Sequence, residues 1–259
     1  MDEKMVGIVA GVGPFAGADL FQKILAETVA NKDQDHLTVL SLSGPGAILD
    51  RTEYLLGHVA ENPGYAMAQQ LHVLAKGGAR VAGIPCNTAH APAIFNVIRA
   101  EMPNSVQLLH MIGETGRFLR EERPFIHNIG VLSTTGTYLT QIYPQTLEPM
   151  GYNVVVPNQV TQEEIVHTAI YHPEYGIKAC GLATTQATTQ LAEAIKQLED
   201  AGAEAIVLGC TEIPLAFPEP YLGKLPLIDP TRVLARALIR EASPMKLKPI
   251  NKRGGEDTK

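Results

Sequence analysis

The sequence predicts an α/β fold of two pseudo-symmetric domains, each a four-stranded parallel sheet flanked by helices, with the active site in the cleft between them. Three observations lead there. Short apolar runs rich in β-branched residues alternate with longer stretches of helical period, the pattern of parallel sheets covered on both faces. The runs fall into two groups of four. Landmarks of the first group also recur in the second at nearly one spacing. Gly7 and Gly13 of GIVAGVG correspond to Gly130 and Gly136 of GVLSTTG, an offset of 130 − 7 = 123. Gly78-Ala79 before Cys86 corresponds to Gly202-Ala203 before Cys210, an offset of 210 − 86 = 124. A period this long is no solenoid repeat and points to a duplicated domain.

The first group of strands is MVGIVA (5–10), HLTVLSL (36–42), RVAGIP (80–85) and VQLLH (106–110). The second is IGVLS (129–133), NVVVP (153–157), AIVLG (205–209) and LPLID (225–229). Between them, helical period runs through ADLFQKILAETVA (18–30), GYAMAQQLHVLAKGG (64–78), TYLTQIYPQTLEPMG (137–151) and LATTQATTQLAEAIKQLEDAG (182–202). The glycines closing these segments are common just past a helix end. The first domain is expected over residues 1–113 and 224–245 and the second over 114–223. The polar stretch 246–259, KLKPINKRGGEDTK, is expected to be disordered or loosely docked.

Composition excludes several classes of function. With 259 residues and 45% hydrophobic residues the chain can bury a substantial core. A net charge of −6, no Trp and singly scattered basic residues leave no face for nucleic acid. No apolar run is long enough to span a bilayer, and the opening MDEKMVGIVAGVG does not read as a secretory signal, so no membrane partner is expected. Three cysteines, an odd number at low density, suit free thiols in a reducing compartment and hence the cytoplasm.

The glycine-rich turn GVGPFAG (11–17) has the spacing of a dinucleotide fingerprint. Pro14 removes an amide that a pyrophosphate needs, however, and no acidic residue closes the second strand, so a tight turn allowing close backbone approach is the plainer reading. Each half also ends an apolar strand in a cysteine followed by small capping residues: GIPCNTAH (83–90) and VLGCTEIP (207–214). A lone cysteine would read as core. Two of them at matched strand ends, where ligands of such sheets bind, read as opposed thiols, each ahead of a helix N-terminus that favours ionisation. A zinc site from Cys86, His90, Cys210 and Glu212 is a weak rival without CxxC or HxxxH support, and no metal is expected. Cys180 has no counterpart in the first half and is no candidate nucleophile. Arg51 and Lys178 occupy comparable places in the two halves (178 − 51 = 127) and together suit a dicarboxylate.

Opposed thiols suggest stereoinversion by two bases, one removing a proton from a tetrahedral carbon while the other returns one to the opposite face. Charge then builds on a neighbouring carboxylate and calls for preorganised donors, for which Asn87, Thr88, Thr134, Thr137 and Thr211 are available. The combination of A-G-V-G-P, D-R-T, P-C-N-T-A-H, L-S-T-T-G-T, I-K-A-C-G and G-C-T-E-I, over residues 5 to about 240, resembles the aspartate/glutamate racemase family, its aspartate racemase branch in particular. The resemblance implies a cofactor-independent racemase, often a homodimer, that acts on a small anionic amino acid. It implies catalytic roles for Cys86 and Cys210, and side-chain carboxylate binding by Arg51 and Lys178. A maleate-type cis/trans isomerase using the same cysteine pair, or a non-catalytic dicarboxylate-binding protein, are the alternatives. The chain departs from the family pattern at Ala10, Val12 and Gly17 of the first turn, and at His110, where an Asp often stands, although Asp229 is present in the second half.

Overall fold

A computed structural model of the protein describes residues 3–250. The strands β1 (Met5–Val9), β2 (Val39–Leu42), β3 (Ala79–Gly83) and β4 (Gln107–Leu108) form one parallel sheet in the order β2-β1-β3-β4. The strands β5 (Asn128–Ser133), β6 (Asn153–Val155), β7 (Ala205–Gly209), β8 (Tyr221–Leu222) and β9 (Leu225–Ile228) form the second, in the order β6-β5-β7-β9-β8. Apart from β8, an edge strand antiparallel to β9, the two orders are the same. The central strands are buried on both faces, as their unbroken apolar runs require: every residue of β7 is buried, and all of β1 beyond Met5. The duplication extends to backbone detail. Gly78 and Gly202, each just past a helix, have φ of +104° and +94°, a left-handed conformation that side chains with a Cβ rarely adopt.

The expected domain boundary at residue 224 differs from what is observed. β9 extends the second sheet, pairing Leu227 with Ile206 and Ile228 with Val207. Only from Pro230 does the chain return, as the helix Pro230–Ala242, whose Leu234 and Leu238 share a core with Val6, Ile8 and Val81 of the first sheet. Glu27, buried at the end of the helix Pro14–Glu27, binds Arg232 and Arg236 and ties that return to the first domain. The capping chemistry accounts for His110. Its Nδ1 accepts from the Gly113 amide (3.1 Å) at the start of the helix Met111–Glu122, while the Asp229 carboxylate accepts from the Thr231 amide (2.9 Å) at the corresponding helix of the second half. Two different side chains thus satisfy orphan amides in the first turn of corresponding helices.

Other expectations need correction. The helical stretch 137–151 is two short helices, Thr135–Leu139 and Ile142–Leu147, separated by Gln141 at φ +50°. Pro144 lacks the N–H that a continuous helix would direct to Thr140, and its ring would crowd that carbonyl. The start of the expected loose tail is docked: Leu247 bridges Thr28, the Val29 amide donates to the Lys246 carbonyl (2.7 Å), and the Lys248 amide donates to that of Glu27 (2.9 Å). The rest of that segment, 251–259, lies outside the described residues. Among the described residues no helix is long and apolar enough to cross a membrane.

The first turn is a close backbone approach. A Cβ on Gly17 would stand 2.3 Å from the Ala10 Cβ and 2.7 Å from its Cα, with no flexible side-chain end to give way. Gly46, in the next loop, has nothing within 4 Å. Gly17→Ala should therefore lower the unfolding free energy by about 2 kcal/mol through overpacking, and Gly46→Ala should leave it nearly unchanged, as read from urea denaturation midpoints.

Candidate active site

β3 and β7 deliver the two cysteines. Cys210 follows β7 directly, and Cys86 follows β3 after Ile84 and Pro85. Both line one cleft of about 360 Å³ of empty space at the carboxyl ends of the two sheets. Their environments differ. Cys86 is partly exposed and faces the Arg51 side chain across the cleft wall. Cys210 is 2% exposed and donates its thiol proton to Glu212 Oε2 at 2.9 Å. The helix N-termini expected behind the thiols are only single 3-10 turns, Thr88–His90 and Ile213–Leu215. For Cys210 the expected ease of ionisation is reversed. Burial, then the Glu212 charge, pushes this thiol well above its ordinary range, and Lys178 offsets only part of that.

The two cations come from equivalent connections, Arg51 between β2 and β3 and Lys178 between β6 and β7. Arg51 opens the short helix Arg51–Leu55, capped by Asp50, whose carboxylate accepts from the amides of Thr52 (2.7 Å) and Glu53 (3.0 Å). Burial opposes the Arg51 charge, but Cys86 and Asp50 outweigh it and raise the guanidinium pKa further. Lys178 lies in the one-turn helix Ile177–Cys180, with Nζ 3.0 Å from Glu212 Oε1 and 5.5 Å from the centre of the Tyr171 ring. Burial opposes its charge as well, and Cys210 and Glu212 more than restore it. Glu212 thus accepts from Cys210 and from Thr211 Oγ1 (2.9 Å) while pairing with Lys178. Burial alone would raise its pKa, yet Lys178 and these donors hold it below the usual carboxylate range.

The hydroxyl residues form a seam between the halves. Thr88 Oγ1 lies 3.3 Å from Thr134 Oγ1 and 2.9 Å from Thr137 Oγ1, and the latter two are 3.1 Å apart. A closed ring of three hydroxyls uses each proton once within the ring. Asn87 accepts from the Tyr143 hydroxyl at 2.6 Å through Oδ1. Its Nδ2 is buried with no partner, as is Arg51 Nε.

Of the residues singled out from sequence, Arg51, Cys86, Asn87, Thr88, Thr134, Lys178, Cys210 and Thr211 line this cleft, and Thr137 sits behind it, 2% exposed. Asp50, Thr52, Tyr171 and Glu212 also line it and were not assigned site roles from sequence. Glu212 had a signal in its place two positions after Cys210. Tyr171 had none; it ends the one-turn helix Thr168–Tyr171 in the long connection between β6 and β7. Its phenol is kept protonated chiefly by burial. His90 is not on the cleft wall. Its Nδ1 bonds the Cys86 carbonyl (2.8 Å), its ring packs on Phe95 and His110, and burial together with His110 lowers its pKa to about 3. Cys180 instead donates to the Glu174 carbonyl (3.4 Å). Among the described residues no three His, Cys, Asp or Glu are gathered to hold a metal ion.

The family described as Asp/Glu/hydantoin racemase matches residues 9–238. The fold is shared with the aspartate racemase of Picrophilus torridus at 28% identity and a TM-score of 0.74, covering 92% of this chain and 94% of that one. An aspartate racemase homologue from Pyrococcus horikoshii OT3 is 24% identical with a TM-score of 0.72, covering 93% and 99%. The glutamate racemase of Francisella tularensis, solved with D-glutamate, is 16% identical with a TM-score of 0.60, covering 97% and 86%, a likeness of fold alone. The chain belongs to the Asp/Glu/hydantoin racemase family and is an isomerase of the racemase type.

Proposed function

We propose that the protein racemises a small acidic amino acid, aspartate before glutamate, by direct proton transfer between Cα and two thiols, without a cofactor. One observation carries the reading: matched strand ends of the two halves bring Cys86 and Cys210 to a single cleft that also holds two buried, unpartnered donors, Arg51 Nε and Asn87 Nδ2. Buried donors without partners are costly and mark where an anionic ligand would complete the bonding. The Arg51 and Lys178 cations on the cleft wall support a dicarboxylate, and the similarity to a protein called an aspartate racemase favours the shorter one.

In this mechanism the Cys86 thiolate, beside the Arg51 guanidinium, removes the Cα proton. Cys210, held protonated by burial and Glu212, delivers its own proton to the opposite face. The product leaves with Cys86 protonated and Cys210 as thiolate, the state that the opposite enantiomer requires. The Lys178 charge favours the Cys210 thiolate. Asn87 Nδ2 donates to the α-carboxylate, on which charge accumulates as Cα is deprotonated. Three free thiols suit a reducing cytoplasm, and a homodimer is the expected assembly, which sedimentation would check.

Three outcomes are expected. In D₂O, aspartate should gain deuterium at Cα as its optical activity decays, with chelators and carbonyl reagents without effect; a racemised product carrying only protium overturns the proposal, and conversion of maleate to fumarate in place of racemisation favours the cis/trans isomerase. Cys86→Ser and Cys210→Ser should each lower kcat roughly 10²- to 10⁴-fold, the usual share of a general acid or base. Glu212→Gln removes the negative charge that raises the Cys210 thiol and leaves Lys178 to favour the thiolate. The alkaline limb of the kcat/KM profile should therefore move to lower pH.

A further inference from the structure

Tyr143 has no role in the mechanism above, yet it touches the neighbours of both catalytic thiols. It is 1% exposed and sits in the short helix Ile142–Leu147 of the second half. Its hydroxyl crosses to the first half and donates to Asn87 Oδ1 at 2.6 Å, next in sequence to Cys86. Its ring lies against Gly209, next to Cys210, so closely that a Cβ there would stand 3.0 Å from Tyr143 Cε2. Burial, with Asp229 and Cys210 adding to it, raises the phenol well above its ordinary range, so the hydroxyl remains a donor.

Building on the racemase reading, we propose that Tyr143 is a positioning residue that fixes the Asn87 amide across the two halves and turns its NH₂ toward the substrate carboxylate. A side-chain amide has one acceptor end and one donor end. The phenol oxygen can also accept, but with Nδ2 in that place its own buried proton would lose its acceptor; donation to Oδ1 therefore pins the acceptor end, and the opposite end faces the cleft, where Nδ2 is buried without a partner. The closed threonine ring offers no spare proton nearby. Without the Tyr143 hydroxyl the amide can flip, presenting an oxygen to a carboxylate. The ring against Gly209 makes the same residue a spacer between the cysteine-bearing loops.

The test compares wild type, Tyr143→Phe, Asn87→Ala and the double variant. Tyr143→Phe keeps the ring, so folding should be retained, with melting temperature as the control. Its kcat should fall about 10-fold or more, the scale of one buried hydrogen bond left unmade, with a smaller change in KM. In the Asn87→Ala background the same substitution should cost less than about 2-fold, because the two residues act through one amide. Losses that multiply, or a Tyr143→Phe variant with wild-type kcat, overturn the proposal. A second measurement needs no turnover. The side-chain amide signals of Asn87, identified by their disappearance in Asn87→Ala, should shift or broaden in the heteronuclear NMR spectrum of Tyr143→Phe; unchanged signals overturn the positioning role. An inactive wild type would sink the racemase reading alone, and the NMR comparison would still decide this one.

Discussion

Removing the Cys210 thiol and the Glu212 carboxylate from water together is the constraint around which the site is organised. A buried carboxylate is tolerable only when its oxygens are satisfied and a cation is near. Glu212 meets both conditions, with Cys210 and Thr211 on one oxygen and Lys178 on the other. The arrangement holds the sulfur in its protonated form, because the charge accepting its proton would repel a thiolate. Lys178 is held in turn by Glu212 and by the Tyr171 ring beneath it. One cluster thus sets the protonation of one thiol and the position of one cation. On the opposite wall, Cys86 meets Arg51 with no acidic residue two positions on, since Thr88 stands where Glu212 stands in the other copy.

The scaffold is symmetric and the chemistry is not. The two sheets share one strand order, each half places a left-handed glycine eight residues before its cysteine, and each supplies a cation from the same connection. Duplication accounts for two thiols meeting in one cleft. Local divergence accounts for their unequal surroundings, Glu212 beside one thiol and Arg51 beside the other, and the proposed two-base reaction requires such inequality, since two thiolates or two thiols could not pass a proton across a carbon. Where the copies differ away from the cleft, the physics is conserved. His110 and Asp229 are chemically unlike and do the same work at the start of their helices.

The repeat, both thiols, both cations and the donor residues near them were legible because each sits at a strand end or in a loop whose distance from a glycine landmark is preserved between copies. In sequence Glu212 reads as a cap or a metal ligand, because sequence does not reveal that Cys210 is buried and needs an acceptor. Thr137 reads as a wall donor like Thr134, since one turn separates them, but Thr134 lines the cleft and Thr137 does not. Tyr143 was invisible for another reason: its contacts with Asn87 and Gly209 span 56 and 66 residues (143 − 87 and 209 − 143), and its segment reads simply as amphipathic helix. A boundary at 224 falls ahead of β9, which pairs with β7 in the second sheet, whereas the helix after it packs in the core of the first; apolar period marks both segments alike and does not say which sheet each joins.

In the proposed reaction, recognition of an acidic substrate cannot rest on the overall field of the protein. The chain carries a net charge of −6, and within the cleft Asp50 and Glu212 balance Arg51 and Lys178. A dicarboxylate approaching from solvent therefore gains little from long-range attraction, which salt would screen in any case. What remains is short-range and directional. Arg51 carries a planar fork of donors with a buried Nε unused, Lys178 has three donors of which Glu212 takes one, and Asn87 presents an amide with its other end already bound. In the proposed reaction the substrate binds by completing hydrogen bonds the fold leaves open. Such binding discriminates by geometry: a ligand lacking either carboxylate would leave buried donors unpaired, a cost of about 1–3 kcal/mol for each.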